Sequence, residues 1–195
     1  MASLIAELTW LLTLTRSHLI ARRYFVVNGF DGALTMLGLL VGFYVSDEVK
    51  LPVVISACLG VAIALGMSGI SSAYISEAAE KRRELRELEK AMVTDLRHSA
   101  HGRAARLLPV VIALVNGIAP LAISLVILLP LWAVPLLKPL ALRPLESAFV
   151  LALIIIFLLG VYLGRISHTF WLWAGLRTLF VAAVTTAFIF ALSPE

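Results

Sequence analysis

Five stretches of about 20 mainly apolar residues divide this chain, and that is the length an α-helix needs to cross the hydrocarbon core of a bilayer. They run over residues 24–46, 51–76, 107–134, 146–164 and 171–192. The runs are too long for β-barrel strands, which alternate apolar and polar residues over about ten positions. Each span must satisfy its own backbone donors and acceptors in lipid, and a helix does so. Composition agrees. Apolar residues make up 61% of the 195 and charged residues 14%, against about 45–50% and 25% in soluble domains. A soluble chain of this size could not hide so much apolar surface. A disordered chain is excluded by the same numbers, and a disulfide scaffold by the single cysteine, Cys58.

The expected fold is therefore an all-α integral membrane protein forming one membrane domain over 1–195, with five transmembrane helices. Residues 1–21 repeat leucines at helical spacing, with Glu7, Arg16 and His18 among them, which predicts an amphipathic helix lying on the membrane. A sixth span there is the alternative. No basic segment precedes the apolar run and no small-residue cleavage site follows it, so a signal peptide is not expected. The second helix is expected to run on past the membrane. Ser76–Asp95 contains neither Gly nor Pro and is rich in Glu, Lys, Arg, Leu and Ala, all good helix formers. Residues 77–106 then form a polar stalk.

Charge orients the spans. With the N-terminus inside, twelve of the sixteen basic residues fall on inner segments, most of them in the stalk. Lys50, Lys138 and Arg143 fall outside, and Arg177 lies within the last span. Positive residues concentrate on the cytoplasmic face, so the expected topology is N-terminus in and C-terminus out. The net charge of +4 is then a membrane-face signature, and without stacking aromatics the basic run does not suggest a nucleic-acid partner.

Some groups are out of place in lipid. Asp31 lies seven residues past Tyr24, roughly 10 Å along a helix. A carboxylate at membrane depth costs about 2.5–3.5 kcal/mol on insertion scales, so such groups mark pathways or partners. The plainer reading is a helix cap or an ion pair with Arg22, Arg23 or Arg177. The second span holds Gly60, Gly66, Met67, Ser68, Gly69, Ser71 and Ser72. Met67 offers a soft sulfur to a borderline metal, or only packing. In Asn116-Gly117-Ile118-Ala119-Pro120, the proline lacks an N–H, which frees the Asn116 carbonyl beside its side-chain amide. Freed carbonyls coordinate cations in some transporters, although a kink that only shapes packing reads the same. Glu77, Glu80, Glu84 and Glu87 share one face of the stalk. They could collect cations near the membrane, or pair with Lys81 and Arg83 as a solvated helix does. His98 and His101 have too few companions for a closed zinc site.

Enzyme chemistry is not expected. Gly66-Met67-Ser68-Gly69 has the form of the rhomboid-protease nucleophile motif, but no histidine lies at matching depth and five spans fall short of that core. Asp31-Gly32 begins like the lipid-headgroup transferases, whose further aspartates are missing.

The chain resembles the vacuolar iron transporter family, which includes the nodulin-21-like proteins. The resemblance covers roughly residues 24–192. Asp31-Gly32-Ala33-Leu34-Thr35 with Gly38 and Gly42 is similar to that family's first-helix motif. Gly66-Met67-Ser68-Gly69 with Tyr74-Ile75-Ser76-Glu77 is similar to its second, and Asn116 to Pro120 with Leu129-Pro130 to its third. Gly175-Leu176-Arg177-Thr178-Leu179 is similar to the start of its last helix. Residues 77–106 are shorter than the plant and fungal insertion and hold one methionine, Met92, and Leu51–Ser76 contains no acid, which suggests a short prokaryotic-type member.

The resemblance implies a homodimer that moves Fe²⁺ or Mn²⁺ out of the cytosol in exchange for protons, with no permanently bound cofactor. It implies Asp31 and Met67 on the ion path and Glu77 and Glu80 where metal is collected; the freed carbonyl and amide of Asn116, read from the residues themselves, would complete the shell. Gly38-x-x-x-Gly42 and Gly160-x-x-x-Gly164 offer close-packing faces for the dimer. The alternative is a non-transporting membrane scaffold or regulatory subunit that docks partners through the stalk.

Overall fold

A computed structural model describes residues 17–46, 49–133 and 143–192, with side chains from Arg22 onward. The described residues are helical almost throughout. α1 spans Ser17–Val45, α2 Leu51–Met92, α3 Ala100–Trp132, α4 Pro144–Ile166 and α5 Trp171–Leu192. All five are long and apolar enough to cross a membrane, as expected of an all-α membrane protein. The predicted surface helix over 1–21 lies outside the described residues as far as position 16. Ser17–Ala21 continue without a break into α1.

α2 is the longest element, with 42 residues. At 1.5 Å per residue it extends roughly 60 Å, about twice the hydrocarbon thickness of a bilayer, so its second half projects as the missing Gly and Pro foretold. α2 ends at Val93, whose φ of 49° places a β-branched residue in the left-handed region. The chain turns back over 93–99. Asp95 Oδ1 accepts from the Arg97 N–H at 2.8 Å, and Glu89 Oε1 from the Leu96 N–H at 3.1 Å. Ser99 then caps α3, its Oγ accepting from the Gly102 N–H at 3.3 Å. α3 therefore starts seven residues before the expected span, because His101, Arg103 and Arg106 interrupt its first two turns and break the apolar run. It continues unbroken through Pro109, Pro120 and Pro130.

Contacts group the chain into two compact units, one of Met1–Phe25 with Gly66–Ile118 and one of Val26–Leu65 with Ala119–Glu195. The second unit holds the main core, where Met36, Leu37 and Leu40 of α1 are buried with Cys58 of α2, Leu128 of α3 and Ile156 of α4. In the same unit α4 and α5 pack through small residues. A Cβ on Gly160 would overlap the Thr178 side chain and stand 2.9 Å from the Ala174 carbonyl oxygen, and one on Gly164 would stand 2.6 Å from Ala174 Cβ. Gly160-x-x-x-Gly164, expected to face a second copy, is thus filled by α5. By contrast a Cβ on Gly38 would meet only Ile189, at 3.6 Å, and one on Gly42 would meet nothing within 4 Å. α5 buries little else and presents Phe180, Phe188 and Leu192 outward, as a lipid-facing helix can.

Candidate functional site

In the second unit, Asp31 is exposed on α1 and is the one acidic residue of that helix. Next to it, Gly32 is buried against α3. A Cβ there would come within 2.8 Å of the Pro120 Cα and carbonyl oxygen, so glycine is what lets the two backbones meet. The Thr35 hydroxyl donates to the Asp31 backbone carbonyl at 2.7 Å and leaves the exposed carboxylate without a bond from that side chain. No ion pair to Asp31 forms among the described residues. A charge on the outside of a membrane helix is not stable against lipid, so this position needs water or a second protein surface.

In the first unit, the glycine-rich segments of α2 and α3 turn out to be partners of each other. The Asn116 amide Nδ2 donates to the Gly69 carbonyl at 2.7 Å. A Cβ on Gly117 would overlap the Gly66 carbonyl oxygen and Ile70, and one on Gly69 would stand 3.0 Å from the Gly117 Cα. The two backbones touch, and the motif Gly66-Met67-Ser68-Gly69 supplies small residues to one face of that contact. Met67 is on the other face, 58% exposed. Asn116 is 7% exposed, and its amide group ties α2 to α3. This strut is a structural role that the sequence reading did not give it.

Farther along α2, Glu77 Oε1 accepts from the Tyr24 hydroxyl at 3.1 Å, linking α2 to the first turns of α1. Glu80 is exposed. The stalk is salt-bridged. Arg83 donates to Glu87 at 3.0 Å at the expected i, i+4 spacing, while Lys81 pairs with Glu84 at 2.7 Å rather than with Glu77. The neighbouring Glu87 carboxylate, joined to Arg83 by a hydrogen bond, pushes the guanidinium pKa up. Asp95 is the other perturbed group outside the spans, held below the usual carboxylate range first by the Arg97 backbone N–H.

Of the five candidate ligands, Asp31 belongs to one unit, and Met67, Asn116, Glu77 and Glu80 to the other. Among the described residues, no three His, Cys, Asp or Glu side chains gather to hold a metal ion. Asp31 and Met67 present exposed side chains, whereas Asn116 and Glu77 already hold protein partners. Tyr24 was missed in the sequence, where a lone tyrosine at a span's edge reads as an interfacial anchor.

Over 148 residues the chain is 30% identical to the uncharacterized protein MJ0645 of Methanocaldococcus jannaschii, a match that covers 74% of each chain. No family model and no solved structure matches the chain.

Proposed function

The chain belongs to one family with that archaeal protein, and we propose that it carries divalent transition-metal ions, Fe²⁺ or Mn²⁺, out of the cytosol in exchange for protons. The observation that carries this reading is Asp31, a carboxylate exposed on an apolar membrane helix beside the Gly32–Pro120 crossing. A carboxylate can bind a cation or a proton in turn, which is what exchange requires of a single group. Five helices from one chain scarcely enclose a pathway, and a two-fold dimer would supply the surface that Asp31 lacks. Gly38 and Gly42, on the same helix, leave room for a close approach by a second copy. Two Asp31 carboxylates near a two-fold axis would form an oxygen site for a borderline metal. The stalk glutamates, Glu80 first, would raise the local cation concentration on the cytoplasmic side. The topology in this reading is N-terminus in, from the positive charge of the stalk.

The test is uptake into proteoliposomes of the purified full chain, with Fe²⁺, Mn²⁺, Co²⁺ and Zn²⁺ offered in turn, with and without a pH gradient. The proposal expects flux of Fe²⁺ or Mn²⁺ that rises with the gradient. No flux of any metal from folded protein would refute it, and would favour a scaffold that docks partners on the projecting α2.

A further inference from the structure

Within the first unit, the projecting part of α2 and the start of α3 enclose a pocket of about 370 Å³. Three arginines line it, Arg82, Arg97 and Arg106, together with Tyr74, Leu85 and Gly102. Arg97 has a weak partner in Asp95 at 3.9 Å. Arg82 and Arg106 have no acidic partner among the described residues, although the same helix pairs Lys81 and Arg83 with glutamates. No carboxylate lines the cavity. Like-charged guanidinium groups that share a concave site repel one another until an anion joins them, and the planar fork of each matches phosphate oxygens. The capped N-terminus of α3 adds the positive end of a helix dipole, since Gly102 is the residue whose N–H meets the Ser99 cap.

Depth chooses the anion. Tyr74 lies in the last apolar turns of α2, and Arg82 lies eight residues on, roughly 12 Å along the axis. The pocket thus straddles the level at which α2 leaves the hydrocarbon, where phospholipid phosphates lie. Just inside that level Val110 and Leu114 of α3 and Ile75 of α2 are exposed apolar surface, suited to acyl chains. The volume falls in the range of small-molecule sites, at its lower end, and suits a headgroup better than a whole lipid. We propose that this pocket binds the headgroup of an anionic phospholipid of the membrane that holds the chain. The site is independent of metal transport. It would fasten the α2–α3 hairpin to the membrane surface and make its order depend on lipid charge.

The experiment uses the purified full chain in a neutral detergent. Dioctanoyl phosphatidylglycerol, dioctanoyl phosphatidylcholine and inorganic phosphate are titrated separately, and binding is read by native mass spectrometry. The proposal expects the anionic lipid to bind better than the zwitterionic one and to resist displacement by inorganic phosphate. Arg82→Gln/Arg106→Gln should weaken it roughly tenfold or more. Arg82→Lys/Arg106→Lys, which keeps the charge, should retain part of the affinity. Arg83→Gln/Arg86→Gln, with the same charge change away from the pocket, should bind as the wild type does. Equal losses in the two glutamine pairs would reduce the effect to general surface charge and overturn the site. Equal binding of the two lipids, or no binding, would overturn it as well. Tighter binding of inorganic phosphate than of lipid would assign the pocket to a soluble anion and overturn the lipid assignment.

Discussion

Replacing Gly117 with alanine tests the contact on which the first unit is built. The new Cβ would stand 2.9 Å from the Ile70 backbone nitrogen, about 0.5 Å inside the 3.4 Å at which ordinary contact begins. It would overlap the Gly66 carbonyl oxygen and Ile70 Cγ1 still more. A backbone atom cannot rotate away, so the helices must separate. Overpacking of this kind costs about 1–3 kcal/mol. The separation also stretches the 2.7 Å bond from Asn116 to Gly69, whose loss adds about 0.5–1.5 kcal/mol. For a chain of this length each kcal/mol shifts the melting temperature by about 2–4 °C, so Gly117→Ala should lower it by roughly 3–18 °C. Gly60→Ala is the matched control. A Cβ there meets nothing within 4 Å, and alanine is the better helix former. Its melting temperature should be unchanged or slightly higher. The assay is tryptophan fluorescence on heating in detergent. Equal melting of Gly117→Ala and wild type, or equal falls in both variants, would refute the close α2–α3 contact.

Val93→Gly should stabilise the end of α2 by about 1 kcal/mol, because the residue is 90% exposed and its left-handed φ suits glycine; a lower midpoint in chemical denaturation would contradict this. Thr178→Val should destabilise the α4–α5 pair by about 1 kcal/mol, since the one hydroxyl proton lies between the Gly175 carbonyl at 2.8 Å and the Ile156 carbonyl at 3.1 Å, and an unchanged melt would show that bond to be idle. Asp95 gives the turn at 93–99 a pH dependence. Its folded pKa lies below the ordinary value, so its contribution is complete above about pH 4 and is lost as the pH falls through the depressed pKa. Hydrogen exchange at the Arg97 amide should quicken, beyond its intrinsic pH trend, only in that acid range, and Asp95→Asn should flatten the profile.

The elements with a strong apolar signal were legible from the sequence. α5 has the expected bounds, α2 begins where Pro52 marks its first turn, and the projection of α2 followed from a long run without Gly or Pro. The start of α3 was not legible as a span, because His101, Arg103 and Arg106 break the apolar run there, although Ser99 as a cap was there to be read. The glycines show the deeper difficulty. Their small size announces close approach but not to what. Gly66, Gly69 and Gly117 meet one another, Gly160 and Gly164 meet α5, and Gly38 and Gly42 are left nearly uncovered. Pairings between distant helices follow from three-dimensional packing, which no periodicity within one helix encodes. The candidate ligands divide for the same reason. Asn116 and Glu77 were chosen for their chemistry, and the fold has given both of them hydrogen-bonded partners within the chain.

The central claim rests on Asp31, and the most direct measurement is metal flux through Asp31→Asn compared with wild type in the same proteoliposomes. The substitution keeps the shape and removes the charge, and the buried Gly32–Pro120 contact beside it is untouched. The account predicts a protein that folds and assembles as the wild type does, yet moves neither Fe²⁺ nor Mn²⁺ and no longer responds to the pH gradient. Undiminished, gradient-driven flux in the folded variant would contradict it.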